Sequence, residues 1–149
     1  MAQSLAKNYI HLVFSTKNRK SMIRETELPV IHAYIAGVLN KMGCPTLVVG
    51  GTTNHVHILF VLNKNVALAK VVGEMKHNVT KWIKLRDPFF YRFFAWQEGY
   101  GAFSVSQSMV EPVMAYIKNQ HDHHRHISFK EELKAFLDKY GVEYNEEYL

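Results

Sequence analysis

Residues 9–16, YIHLVFST, are dense in β-branched and aromatic side chains and predict a strand. A basic loop, KNRK, follows. Over 28–41 the apolar residues Ile31, Ile35, Val38 and Leu39 recur at helical spacing, and Gly43 supplies a stop. Residues 46–49 and 55–62 read as two strands, with GGTTN between them as the turn of a hairpin. A second helix spans 66–86, with Val72, Met75, Val79 and Ile83 on roughly one face and Asp87-Pro88 ending it. A short strand at 102–106 leads to Ser108-Met109-Val110-Glu111. That spacing predicts a capping box and a helix running through Tyr116 to about Gln120. Ser128 to Glu131 repeats the spacing and opens a last helix that ends near Gly141.

The order β, α, β, β, α, β is the split βαβ arrangement. It predicts an α+β, ferredoxin-like fold: a four-stranded antiparallel sheet with two helices on one face and additional C-terminal helices. The second face then needs a cover, from those helices or from a partner. No linker or repeat divides the 149 residues, so 1–149 reads as a single domain.

Composition narrows the partners. No apolar run reaches the ~18 residues of a membrane span, and the N-terminus lacks the pattern of a signal peptide. The lone Cys44 has no internal disulfide partner, so a cytoplasmic protein is expected. Lys and Arg outnumber Asp and Glu by 18 to 13, which suits an anionic partner, nucleic acid first.

The candidate chemistry begins in NHVHILF. Alternation along a strand puts His55 and His57 on one face and Val56, Ile58 and Phe60 on the other. Two neutral imidazoles so placed hold a divalent cation or form a half-buried hydrogen-bonded pair. A cation site needs a third ligand. Tyr116 and Gln120, four apart, share one face of the third helix. A phenol beside a metal is suited to phosphoryl transfer, whereas ordinary amphipathic packing also explains a tyrosine there. HDHHRH, 121–126, reads as a basic, polar helix end near DNA phosphates or the active site rather than a zinc cluster. Tyr140, Tyr144 and Tyr148 read as packing or surface residues. Most of the aromatic rings between 89 and 103 are expected to pack, with one or two left for stacking on bases.

The stretches YIHLVFSTKNRK, GGTTNHVHILF, FAWQEGYGAFSVS, VEPVMAYIKNQHDHH and FKEELKAFLDKYGVEYNEEYL resemble, in order and separation, the HUH single-tyrosine transposases of small insertion sequences. The resemblance implies that His55, His57 and Gln120 bind a divalent metal, Mg2+ or Mn2+. It implies that Tyr116 cuts single-stranded DNA through a covalent 5′-phosphotyrosine and later transfers the strand. It further implies recognition of DNA hairpins and a homodimer, with the tyrosine helix able to complete the other subunit's site. Lys17, Arg19, Lys20, Lys76, Lys81 and Lys84 are the candidates for phosphate contacts. The alternatives are a non-catalytic single-strand-binding module of the same fold and a domesticated relative that processes host palindromes.

Overall fold

The computed structural model describes residues 2–120 and 127–149. Four strands, β1 (Asn8–Ser15), β2 (Thr46–Thr52), β3 (His55–Leu62) and β4 (Gly101–Val105), form one antiparallel sheet in the order β2-β3-β1-β4. The helices are α1 (Leu28–Lys41), α2 (Leu68–Arg86), α3 (Val110–Lys118) and α4 (Phe129–Lys139). The expected α+β fold is the observed one.

Strand alternation sorts the sheet into two chemically different faces. On one face Leu12, Phe14, Val56, Ile58 and Phe60 pack against α1 and α2 in the main core. The apolar stripe of α1 there is Leu28, Ile31, Ile35 and Leu39. That of α2 is Val71, Val72, Met75, Val79 and Ile83. On the other face Tyr9, Leu59 and Val105 pack under Val110 and Ile117 of α3, and Val13 and Phe103 pack under Phe129 and Leu137 of α4. The C-terminal helices therefore cover the second face themselves.

Three local expectations are corrected. β2 runs on through Gly50, Gly51 and Thr52, so the turn to β3 is only Thr53-Asn54. Gly51 has φ 144°, and a Cβ there would meet the His55 carbonyl oxygen at 2.2 Å, so glycine lets the paired strand twist past β3. Ser108 caps nothing: it lies in a 3-10 turn, Gln107–Met109, and α3 starts after Met109 with no side-chain cap. The box spacing at Ser128 does work, its side chain accepting from the Glu131 backbone N–H. Among the aromatics between 89 and 103, Tyr91, Phe94 and Phe103 are buried. Phe89, Phe90, Phe93 and Tyr100 are exposed, more than the one or two expected.

Candidate active site

The site grows from the polar residues of the α3/α4 face of the sheet. His55 and His57 lie on that face of β3, and His11 joins them from the neighbouring β1; all three are buried. Gly50 faces α3 with no side chain, and the Ile117 carbonyl oxygen lies 2.3 Å from where its Cβ would be. This close approach lowers α3 onto the strands and brings Tyr116 and Gln120 to the histidines of their own chain. Gln120 lies two residues past the end of α3.

Glu132 completes the cluster from α4. One carboxylate oxygen, Oε1, is 2.8 Å from His57 Nε2. The other, Oε2, accepts hydrogen bonds from the Tyr116 hydroxyl and, at 3.2 Å, from Gln120 Nε2. Gln120 Oε1 lies 3.0 Å from His55 Nε2. Burial first, then the hydrogen bond to Glu132 and its charge, hold the Tyr116 phenol well above its ordinary pKa, with a smaller opposing effect from Gln120.

The tautomers follow from the surrounding partners. Asn54 Nδ2 donates to the Arg19 carbonyl, so Asn54 Oδ1 is an acceptor. It takes a hydrogen bond from Thr52 Oγ1 at 3.0 Å and lies 2.8 Å from His55 Nδ1. The Thr52 hydroxyl, its proton spent on Asn54, turns a lone pair to the same Nδ1 at 2.9 Å. His55 Nδ1 therefore carries the proton and Nε2 presents a lone pair. That lone pair and Gln120 Oε1 are two acceptors facing each other, an arrangement that a shared cation relieves. His55, His57 and Glu132 each offer a ligand atom, all within 4.8 Å of one another. Two imidazoles, a carboxylate and an amide oxygen fit a divalent metal. His11 Nε2 lies 2.8 Å from His57 Nδ1. Burial, then repulsion from His57, push the His11 pKa down to about 3 against a smaller upward pull from Glu132, so the ring is neutral at ordinary pH. A metal held by His57 Nε2 would leave the ring proton on Nδ1, where neutral His11 would accept it.

The structure thus brings four sequence candidates together, His55, His57, Tyr116 and Gln120, and adds Glu132 and His11. Glu132 left a signal: it lies on the apolar stripe of α4, between Phe129 and Phe136, where a carboxylate needs a reason. The basic candidates divide. Lys17 and Lys20 are exposed, and Arg19 is half-buried with its guanidinium donating to the Leu149 carbonyl. Lys81 is exposed and Lys84 half-buried. Lys76 donates to the carbonyls of Gln97 and Gly99 at 3.1 and 2.6 Å, and burial lowers its pKa to about 8. Its ammonium anchors the 97–99 segment. The stretch 121–126 lies outside the described residues. Tyr140 stacks on Phe103, and the Tyr144 hydroxyl donates to Asp138.

The profile of the IS200-like transposases matches residues 4–120. The chain belongs to that family. Solved structures of two transposases share this fold. One is a Deinococcus radiodurans R1 protein described as a candidate transposase, with TM-score 0.65 and 17% identity over 80% of this chain and 95% of that one. Another is a REP-associated tyrosine transposase bound to a REP hairpin, with TM-score 0.60 and 15% identity over 83% and 73%. A search of curated proteins gives no match. The family match ends at Gln120, so Glu132 and all of α4 lie beyond it. No helix among the described residues is long and apolar enough to cross a membrane.

Proposed function

We propose that this transposase cleaves single-stranded DNA beside a hairpin, using Tyr116 as nucleophile and a divalent metal, Mg2+ or Mn2+, held by His55, His57, Glu132 and Gln120. The observation that carries the reading is the convergence of the Tyr116 hydroxyl, both histidines and Glu132 in one buried cluster of a single chain. The bound metal supplies charge neutralisation at a phosphodiester oxygen. The remaining chemistry belongs to the chain. Tyr116 Oη attacks phosphorus, and Glu132 Oε2, already its hydrogen-bond acceptor, takes the proton. The bond from phosphorus to the 3′-oxygen breaks, and the leaving oxygen gains a proton from water as a free 3′-hydroxyl. The 5′-phosphate stays on Tyr116 until another 3′-hydroxyl attacks it, so no nucleotide cofactor is needed.

Because the cluster closes within one chain, a homodimer on this reading pairs two DNA ends rather than two half-sites. Lys17 and Lys20, exposed in the loop that joins the Asn54 turn, are the first candidates for backbone phosphates. The hairpin carried by the REP-bound neighbour supports that class of DNA.

The test uses a labelled single strand carrying a hairpin with randomised flanks, incubated with protein and Mn2+ and run on a denaturing gel. A protein–DNA adduct that chelator prevents is expected, and Tyr116→Phe should lose it while still retarding the hairpin. An adduct that persists in Tyr116→Phe removes this tyrosine as nucleophile. Retardation with no adduct in the unmodified chain leaves the binding module as the function.

A further inference from the structure

Tyr116 forms part of the wall of a cleft of about 610 Å³ between the β4–α3 segment and α4. Other parts of the wall come from Met109, Phe136, Lys139 and Tyr140. This volume falls within the ~300–1,000 Å³ of small-molecule sites. A second hollow sharing Tyr116, Phe136 and Lys139 measures about 180 Å³, below that range. A third, of about 330 Å³, does not touch Tyr116 and includes Glu98 and Glu143, the wrong charge for a phosphate. Of these three, only the first both meets the nucleophile and has room for a nucleotide.

We infer that this cleft seats one unpaired nucleotide next to the scissile phosphate, its base against Tyr140 and Met109 and its phosphate beside Lys139. The inference rests on the reading of Tyr116 as nucleophile. A phosphorus under attack carries a nucleotide on each side, and one of them must occupy space that touches the phenol.

The walls suit that occupant. Tyr140 and Met109 leave large apolar surfaces in solvent, 41% and 45% exposed. Tyr140 is stacked on Phe103, with ring centroids 4.7 Å apart, which holds the ring rigid at the cleft wall. Lys139 is exposed and its Nζ lies over the Tyr140 ring, 5.8 Å from the centroid, so a base entering against the ring displaces a flexible ammonium toward its own phosphate. Ser104 and Ser106 line the same cleft and add hydroxyls for a base edge or a sugar. An aromatic platform beside a cation is the pattern of single-strand recognition.

The test takes the oligonucleotide cut in the assay above and places an abasic residue at each position flanking the scissile phosphate in turn. In the unmodified protein one flanking abasic residue should slow adduct formation roughly 5- to 160-fold, the worth of one base stacked on an aromatic ring. Tyr140→Ala and Met109→Ala should slow the intact strand, and the same abasic residue should then cost them little more. Effects that simply multiply, or no abasic effect on either side, overturn the seat. A parallel arm measures binding to Tyr116→Phe protein, by fluorescence anisotropy, of hairpin strands carrying an abasic residue at each unpaired position beside the hairpin in turn. It reads the cleft without chemistry: if no adduct forms at all, the nucleophile assignment fails, while Tyr140-dependent loss of binding at one abasic position still identifies the seat. Equal binding of abasic and intact strands there removes it.

Discussion

The Tyr116 hydroxyl donates its hydrogen bond to Glu132, a residue from a helix outside the part of the chain that matches the family. The same carboxylate reaches His57 through its other oxygen. One side chain thus ties the phenol to the imidazole.

Glu132→Gln tests that link. It keeps the shape and removes the charge. Saturating Mn2+, at about 100 times its dissociation constant, should stabilise the unmodified protein by about 2.7 kcal/mol, and chelator should reverse this. In the variant the Mn2+ dissociation constant, read by calorimetric titration, should rise at least about tenfold. An unchanged constant would make Glu132 a cap on the histidines and nothing more.

Asn54→Ala removes one of the two oxygens beside His55 Nδ1 and leaves Thr52 Oγ1 at 2.9 Å. Outer hydrogen-bond partners of metal-binding histidines are typically worth about 10- to 100-fold in metal affinity. A loss in that range is expected for Mn2+ with the far-ultraviolet spectrum unchanged. Full affinity in the variant would show that the tautomer is set elsewhere.

Gly50→Ala places a methyl 2.3 Å from the Ile117 carbonyl oxygen and 2.9 Å from its Cγ2. The helix must lift, so a destabilisation of about 1–3 kcal/mol is expected, together with slower adduct formation. Gly37→Ala is the control: a Cβ there meets nothing within 4 Å, and in a helix it should stabilise by about 0.4–1 kcal/mol. Urea denaturation of both variants decides the matter. Equal stabilities would mean that α3 does not depend on the bare strand.

Acid should destabilise the fold through His32, whose buried Nε2 has no hydrogen-bond partner among the described residues and whose pKa burial lowers to about 4. Between about pH 6.5 and 4 the unfolded chain binds a proton that the folded one refuses. The stabilisation is therefore present above 6.5 and fades as pH falls, by at most about 1.4 kcal/mol per pH unit for one proton. His32→Gln should flatten the slope of stability against pH in that window. His11 acts with the same sign down to about pH 3, so some slope remains. An unaltered slope in His32→Gln would assign the acid sensitivity to other groups.

The elements legible in the sequence were those with a strong local period. α1 is found where Ile31, Ile35 and Leu39 predict it, and β3 where alternation predicts it. The shared face of His55 and His57 follows from the same alternation. Ser108 misled because a capping spacing does not by itself start a helix: the chain makes a 3-10 turn first, which moves the helix start past the serine. His11 was not legible as a site residue, and Glu132 showed only as a carboxylate on an apolar stripe, without its partner. Each is brought to His57 by pairing or packing across 46 and 75 residues, and no local period carries that distance. Lys76 illustrates the converse, since its charge suggested phosphate while its carbonyl partners come from a loop 21 and 23 residues away.

β3 alternates strictly, reactive imidazoles to one side and aliphatic core to the other, and its junction with β2 is the two-residue turn Thr53-Asn54. An insertion or deletion of a single residue there would turn the strand inside out, burying both imidazoles among hydrocarbons and aiming Val56 and Ile58 at the phenol. Length at this hairpin is therefore under tighter constraint than the identity of most side chains around it.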